Sequence, residues 1–115
     1  MTTRIYHNPK CSTSRKVLAA INDAGEEPEI ILYLETPPSR AELTKLLSQM
    51  QIGARQLLRK KESLYKELSL DDPKVSDAKA LDAMIKHPIL IERPIVVTEK
   101  GARLCRPPET LNEIL

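Results

Sequence analysis

The sequence predicts an α/β fold with strands at both ends of the chain and a helical insert over about residues 39–88. Two observations support this prediction. Short apolar or β-branched segments, typical of strands, occur near the two ends. Between them, apolar residues recur at the three- and four-residue spacing of helices. The chain has 115 residues, the length of one compact domain, and we expect residues 1–115 to form a single domain.

The first third of the chain predicts a strand, a helix and a second strand. The segment 4–6 (Arg-Ile-Tyr) is a short strand that ends at Asn8-Pro9. A helix follows, and Gly25 is well placed as its C-terminal cap. Its apolar residues at helical spacing are Val17, Leu18, Ile21 and Ala24. The segment 30–33 (Ile-Ile-Leu-Tyr) is continuously apolar, which predicts a buried strand parallel to the first and completes a βαβ unit.

The middle of the chain predicts two longer helices. Ser39 and Glu42 have the spacing of a capping box, which marks the start of a helix. The residues that this helix is expected to bury are Leu43, Leu46, Leu47 and Met50. A polar, lysine-rich stretch follows at residues 59–62. The next helix is predicted to start near Ser76 and to end before Pro88. Its buried residues are expected to be Leu81, Met84 and Ile85.

The last quarter of the chain predicts a β-hairpin and a short closing helix. Residues 95–98 and 102–104 are the two strands, with Gly101 in the turn between them. The closing helix follows Pro107-Pro108, and its apolar residues are Leu111, Ile114 and Leu115. The predicted order is therefore βαβ, helical insert, ββα, with a mixed sheet. Together with a cysteine at the start of the first helix, this order is typical of a thioredoxin-like fold.

The composition indicates an ordinary soluble protein. Charged residues make up 30% of the chain and the net charge is +2, too small to predict binding to nucleic acid or to a membrane surface. No apolar run approaches the ~20 residues of a membrane span, and the first six residues lack the apolar core of a signal peptide. Two cysteines are no disulfide framework and suit a reducing compartment. We therefore expect a cytoplasmic protein with neither a nucleic-acid nor a membrane partner.

Cys11 is the candidate nucleophile. It follows a predicted strand at the beginning of a helix, where free amide N–H groups and the helix dipole favour negative charge. Such a position lowers a thiol pKa from about 8.5 into a range of roughly 3.5 to 7.5, and the thiolate is the reactive form. Arg15 and Lys16 follow in the first turns. The alternative interpretation is a buried structural cysteine, which the polar surroundings disfavour.

Ser14 stands where a thioredoxin-type dithiol has its second cysteine. Disulfide chemistry at Cys11 must therefore be completed by an outside thiol, such as glutathione, or by Cys105. Ser14 either donates its hydroxyl to the Cys11 thiolate or is only a helix-start serine, and the local sequence leaves both interpretations open. Val17, and not arginine, stands six positions after Cys11, which excludes a Cys-x5-Arg phosphate loop.

His7 and three arginines are the other candidates for the site. His7 either favours the thiolate or satisfies a hydrogen bond within its own loop. A tetrahedral oxyanion prefers planar, bidentate guanidinium donors that keep their charge. Arg93 and Arg106 stand at the entry and exit of the predicted hairpin, which brings such positions close together. Arg59 lies in the insert, and the local sequence alone does not favour it over Arg55.

Three blocks of sequence resemble the glutaredoxin-coupled ArsC family. The first is the run HNPKCSTSR at residues 7–15, and the second is LLRK at residues 57–60. The third extends over residues 87–107 and includes HPILI, RPIVV and RLCRP. The blocks occur in the order of the family and together span nearly the whole chain.

This resemblance implies a thioredoxin-like fold and an arsenate reductase that draws its electrons from glutathione and glutaredoxin. It implies that Cys11 attacks arsenate, with His7 and Ser14 as its activators. The residues implied to bind the oxyanion are Arg59, Arg93 and Arg106. A cis peptide bond before Pro94 is also implied. No bound cofactor is expected, because glutathione acts as a co-substrate. No metal is expected either.

Two other functions stay open on the sequence. Spx-like redox regulators, which bind RNA polymerase, share the fold, but they generally carry Cys-x-x-Cys, which Ser14 interrupts. A general glutathione-dependent thiol oxidoreductase would use the arginines to bind glutathione carboxylates. A zinc site built from His7, Cys11, His87 and Cys105 is disfavoured, because the long gaps match no zinc spacing rule.

Overall fold

The computed structural model describes residues 2–115, whose contacts divide the chain into two units. Unit 1 consists of residues 2–36 and 93–115, and unit 2 is Pro37–Glu92. Unit 2 thus corresponds to the predicted helical insert, with boundaries a few residues outside the predicted ones. The expectation that residues 1–115 form a single domain stays a prediction.

Unit 1 contains a four-stranded mixed sheet. Its strands are β1 (Arg4–Tyr6), β2 (Glu29–Ile31), β3 (Ile95–Thr98) and β4 (Gly101–Leu104). Their order across the sheet is β2-β1-β3-β4. β1 and β2 are parallel, whereas β3 is antiparallel to both β1 and β4. The predicted βαβ unit, hairpin and mixed sheet are thereby confirmed. Gly101, which was predicted in the turn of the hairpin, is instead the first residue of β4 and pairs with Thr98.

The first helix, α1 (Ser12–Asp23), packs against this sheet through one apolar face. Val17 and Ile21 are fully buried and share an apolar cluster with Ile5 of β1. Because these positions lie on one helical face, their spacing in the sequence predicts their burial. Gly25 has a φ of 87°, which glycine adopts without steric cost, and it follows the end of the helix as predicted.

Three further details of unit 1 differ from the sequence predictions. β2 is not a buried strand: it lies at the edge of the sheet, Ile30 is 48% exposed, and the buried residue of this segment is Tyr33. An edge strand has a neighbour on one side only, so its side chains are less covered. Ala24 is exposed because it lies beyond the last turn of α1. The closing helix is a 3-10 helix, Pro108–Glu113, and it contributes Leu111 to the cluster.

Unit 2 is mainly helical. Its helices are α2 (Arg40–Met50), α3 (Ala54–Leu57), α4 (Ser63–Glu67), α5 (Asp77–Lys86) and a 3-10 helix at Pro88–Leu90. The Ser39 and Ser76 hydroxyl oxygens accept N–H groups of α2 and α5, which confirms both predicted helix starts. The predicted buried residues of α2 are confirmed, whereas Ile85 of α5 is only partly buried.

The two short helices of unit 2, α3 and α4, were not predicted. Each covers at most five residues, which is too short for a helical period to be recognised in the sequence. Among the helices that the structure describes, none combines the length and the apolar character that crossing a membrane requires.

Candidate active site

Cys11 lies between β1 and α1, in the N-cap position of the helix. Its N–H donates to the carbonyl of Asn8 at 3.0 Å, and its carbonyl accepts the N–H of Arg15 at 3.0 Å. The backbone is therefore held on both sides of the sulfur. Cys11 is only 9% exposed. It is accordingly a mostly buried thiol at a helix N-terminus, where the helix dipole favours negative charge.

The pKa of the Cys11 thiol is the balance of two opposing effects. Burial raises this pKa, because a charged sulfur is disfavoured away from water. Hydrogen bonds from the backbone N–H of Ser14 and from the guanidinium groups of Arg93 and Arg106 lower it more, so that the pKa falls to about 7. At neutral pH about half of the thiol is ionised, against ~3% for a cysteine with a pKa near 8.5.

The two guanidinium groups come from the two ends of the β3–β4 hairpin. Arg106 Nη1 lies 3.7 Å from the Sγ of Cys11, and it donates to the carbonyl of Arg93 at 3.3 Å. The predicted proximity of these two arginines is thereby confirmed. The peptide bond before Pro94 is cis, as the family resemblance implied, and the bond before Pro107 is cis as well.

Ser14 and His7 form a second contact in the same loop. His7 Nδ1 and Ser14 Oγ are 2.6 Å apart, and the N–H of Asn8 donates to the same Oγ at 3.1 Å. The Ser14 hydroxyl can donate its proton to Nδ1 or accept a proton from it, depending on which ring nitrogen of His7 is protonated. Burial lowers the pKa of His7, and the positive charge of Arg15 lowers it further, so the neutral form is favoured.

The two parts of Ser14 therefore have different partners. Its backbone N–H bonds the sulfur of Cys11, while its hydroxyl lies against His7. A neutral His7 adds no positive charge beside the thiolate, and its side chain contacts Ser14. The Asn8 side chain holds the loop from within, because its Oδ1 accepts the N–H of Lys10 at 3.0 Å. The roles of His7 and Ser14 as activators stay predictions.

Arg59 lies in unit 2, where its Nη1 forms an ion pair with Glu92 Oε1 at 2.7 Å. Its place in the oxyanion site stays a prediction from the family resemblance. Arg55, the alternative that local sequence left open, instead donates to the carbonyls of Pro73 and Val75 at 3.0 and 2.8 Å. It is thus used to hold the loop before α5. Glu92 could not be predicted from the sequence, since nothing local marks it as a partner of an arginine 33 positions away.

Cys105 directly follows β4 and is fully buried. Burial raises the pKa of its thiol to about 12, so it carries almost no thiolate at neutral pH. It is therefore poorly suited to complete a disulfide with Cys11, and both cysteines are free thiols. Within residues 2–115, no three His, Cys, Asp or Glu side chains come together in a way that could hold a metal ion.

Fold and site together define a class of protein. The mixed sheet has the strand order β2-β1-β3-β4. A single ionisable thiol lies at the N-terminus of the first helix, and two guanidinium groups hydrogen-bond its sulfur. This is a thioredoxin-like protein in which one ionisable cysteine lies among positively charged hydrogen-bond donors. The profile of the ArsC family matches residues 6–114, and the chain belongs to that family.

Alignments with similar proteins extend over almost the whole chain. An arsenate reductase of Escherichia coli is 57% identical over 111 residues, which are 96% of this chain and 79% of that protein. An arsenate reductase of Rhizobium meliloti is 52% identical over 115 residues, 100% of this chain and 82% of that one. The solved structure of an arsenate reductase from Vibrio cholerae has a TM-score of 0.94 at 52% identity, covering 100% of this chain and 98% of that chain.

Proposed function

We propose that this chain is an arsenate reductase in which the thiolate of Cys11 attacks arsenic. The activity follows from relatives at 52–57% identity over nearly the full chain. The observation that carries the proposal for the site is the contact between Arg106 and Cys11, 3.7 Å long, on a thiol whose pKa is about 7. A thiolate surrounded by guanidinium donors is both a nucleophile and a receptor for an anionic substrate.

The first step joins sulfur to arsenic. Arg93 and Arg106, and by family resemblance Arg59, bind the oxygen atoms of hydrogen arsenate and offset its negative charge as Cys11 approaches. A bond forms between the sulfur and arsenic, and one arsenate oxygen leaves as water after protonation. Arsenic is still pentavalent in this adduct, so no electrons have yet been transferred.

The second step reduces arsenic with an outside thiol. Glutathione thiolate attacks the sulfur of Cys11, a disulfide forms between the two sulfurs, and the electron pair of the sulfur–arsenic bond passes to arsenic. Arsenic becomes trivalent and leaves as arsenite. Glutaredoxin then clears the Cys11–glutathione disulfide by thiol exchange. Ser14 and the buried Cys105 favour this external route, because neither offers a thiolate that could resolve Cys11.

The test is arsenate turnover by the purified chain with glutathione and glutaredoxin, followed as arsenite release. Cys11→Ser is expected to abolish turnover, whereas Cys105→Ala, at the other free thiol, is expected to retain it. Turnover that survives in Cys11→Ser would overturn the proposal. We also propose a cytoplasmic location, where the glutathione pool keeps such thiols reduced.

A further inference from the structure

Arg59 and Glu92 form an ion pair that is largely shielded from water. Arg59 Nη1 lies 2.7 Å from Glu92 Oε1, and the two side chains are only 15% and 16% exposed. An exposed pair of this kind contributes little to stability, because both groups are well hydrated when apart. Here, withdrawal from water makes the loss of one partner costly, since the other is left with an unsatisfied charge.

The backbone of unit 2 fixes both ends of this pair. The N–H of Arg59 donates to the carbonyl of Leu90 at 2.7 Å, and the N–H of Glu92 donates to the carbonyl of Leu57 at 2.8 Å. Between these two bonds, Leu58 and Ile91 form an antiparallel bridge. The two side chains therefore extend from facing segments held in register, and the pair is a fixed feature of the unit.

The pair leaves one edge of the guanidinium for another acceptor. Glu92 occupies Nη1, whereas the buried Nε–H of Arg59 has no hydrogen-bond acceptor within residues 2–115. Glu62 Oε2 lies 4.0 Å from Nε, close enough for an ion pair but beyond hydrogen-bond distance. Nε and Nη2 form the edge with which arginine binds carboxylates and phosphate-like anions through two parallel bonds. A buried N–H without an acceptor is unfavourable and becomes favourable when an anion oxygen reaches it.

We propose that Glu92 is a positioning residue that holds Arg59 so that its Nε edge is presented to the tetrahedral oxyanion. The inference rests on the proposed function, in which Arg59 binds arsenate. In this scheme Glu92 does not touch the substrate and acts only through Arg59. Without Glu92, the guanidinium of Arg59 rotates among several orientations, of which only some can bind arsenate, so the affinity for arsenate falls.

The experiment compares arsenate KM and kcat for a set of variants at Glu92. Glu92→Ala removes the acceptor and is expected to raise the arsenate KM about tenfold, the effect of one charge-assisted hydrogen bond. Glu92→Asp keeps the charge, but the shorter side chain moves the carboxylate away from Nη1 of Arg59. The same rise in arsenate KM is therefore expected. Glu92→Gln keeps an oxygen acceptor in place, so the rise should stay below about threefold. In all three, kcat is expected to change less than KM, because loss of uniform binding appears in KM.

Two controls separate positioning from a general effect on structure. Glu62→Ala removes the carboxylate that lies 4.0 Å from the Nε of Arg59, and its KM is expected not to rise, because Glu62 does not hold Nη1 and its charge opposes an anion at the Nε edge. In an Arg59→Ala background, Glu92→Ala is expected to have no further effect on KM, because its target is gone. The Asp and Gln variants keep a polar group at position 92, so the test holds even where the alanine variant fails to fold.

The outcomes distinguish this inference from the proposed function. An unchanged or lower KM in both Glu92→Ala and Glu92→Asp would overturn the inference, as would an equal rise in the Arg59→Ala background. If Arg59→Ala itself leaves the arsenate KM unchanged, Arg59 does not bind arsenate, and the inference fails with that assignment. The proposed function as a whole is tested separately, by the loss of turnover in Cys11→Ser.

Discussion

Arg106 Nη1 lies 3.7 Å from the sulfur of Cys11, although the two residues are 95 positions apart in the chain. The same nitrogen donates to the carbonyl of Arg93 at 3.3 Å. This second bond fixes the direction of the guanidinium, so the group reaches the sulfur as a fixed donor. The β3–β4 hairpin thus places the positive charge of Arg106 beside the thiol of Cys11, which lies near the other end of the chain.

Arg106→Ala is expected to raise the pKa of Cys11 from about 7 towards that of a free thiol, because one hydrogen bond and one positive charge are lost while burial remains. The pKa is measured from the ultraviolet absorbance of the thiolate during a pH titration. Arg103→Ala is the matched control, since Arg103 lies on the same hairpin but pairs with Glu113 at 3.1 Å. An unchanged Cys11 pKa in Arg106→Ala would contradict the role assigned to this contact.

His7 is expected to make the free energy of unfolding fall as pH drops below about 6.5. Burial, and then Arg15, lowers its pKa in the folded chain from 6.5, so the unfolded chain takes up the proton first. The stabilisation is therefore present above 6.5 and is lost on acidification. Urea unfolding at a series of pH values checks this, and His7→Gln should show a shallower loss than wild type. Equal slopes in the two proteins would show that His7 titrates as it does in the unfolded chain.

Oxidation in the presence of glutathione is expected to add one glutathionyl group to Cys11 and to form no intramolecular disulfide. Cys105 is fully buried with a pKa raised to about 12, and the position used by a dithiol partner is Ser14. Mass spectrometry of the intact chain distinguishes the two products. Ser14→Cys supplies the missing thiol, and this variant should form the internal disulfide instead. An internal disulfide in wild type would favour a redox-sensing function over the proposed one.

Native Cys105 is expected to resist alkylation, while Cys11 reacts readily. Iodoacetamide at neutral pH should modify one thiol in the folded chain and two in urea, because unfolding removes the burial that raises the pKa of Cys105. Peptide mapping identifies the modified residue. Fast modification of Cys105 in the folded chain would mean that this region opens, which its complete burial argues against.

Much of the fold could be predicted because its signals are local. Ser39 and Ser76 cap α2 and α5 with their own hydroxyls, and Gly25 ends α1 through a backbone conformation that suits glycine. The environment of Cys11 was predictable in part for the same reason, since a helix N-terminus is visible in the sequence. The proximity of Arg93 and Arg106 to each other followed from the expected hairpin, whereas their place beside Cys11 was implied by the family resemblance.

What could not be predicted depends on contacts between distant segments. The exposure of Ile30 follows from the position of β2 at the sheet edge, which is set by where β3 pairs with β1. The pairing of Arg59 with Glu92 depends on the bridge between Leu58 and Ile91, two residues with no strand pattern around them. Local sequence carries no information on either contact.

An acidic thiol in an anion site is tested best by the rate of Cys11 alkylation against pH, measured with and without arsenate. We expect a midpoint near pH 7 in the absence of arsenate and a slower reaction when arsenate occupies the arginine site. Sulfate-free buffer and the Cys105→Ala variant restrict the signal to one thiol and one anion. A midpoint near 8.5 would mean that the Cys11 thiol is as weakly acidic as a free cysteine, and alkylation that arsenate does not slow would mean that arsenate does not bind beside it.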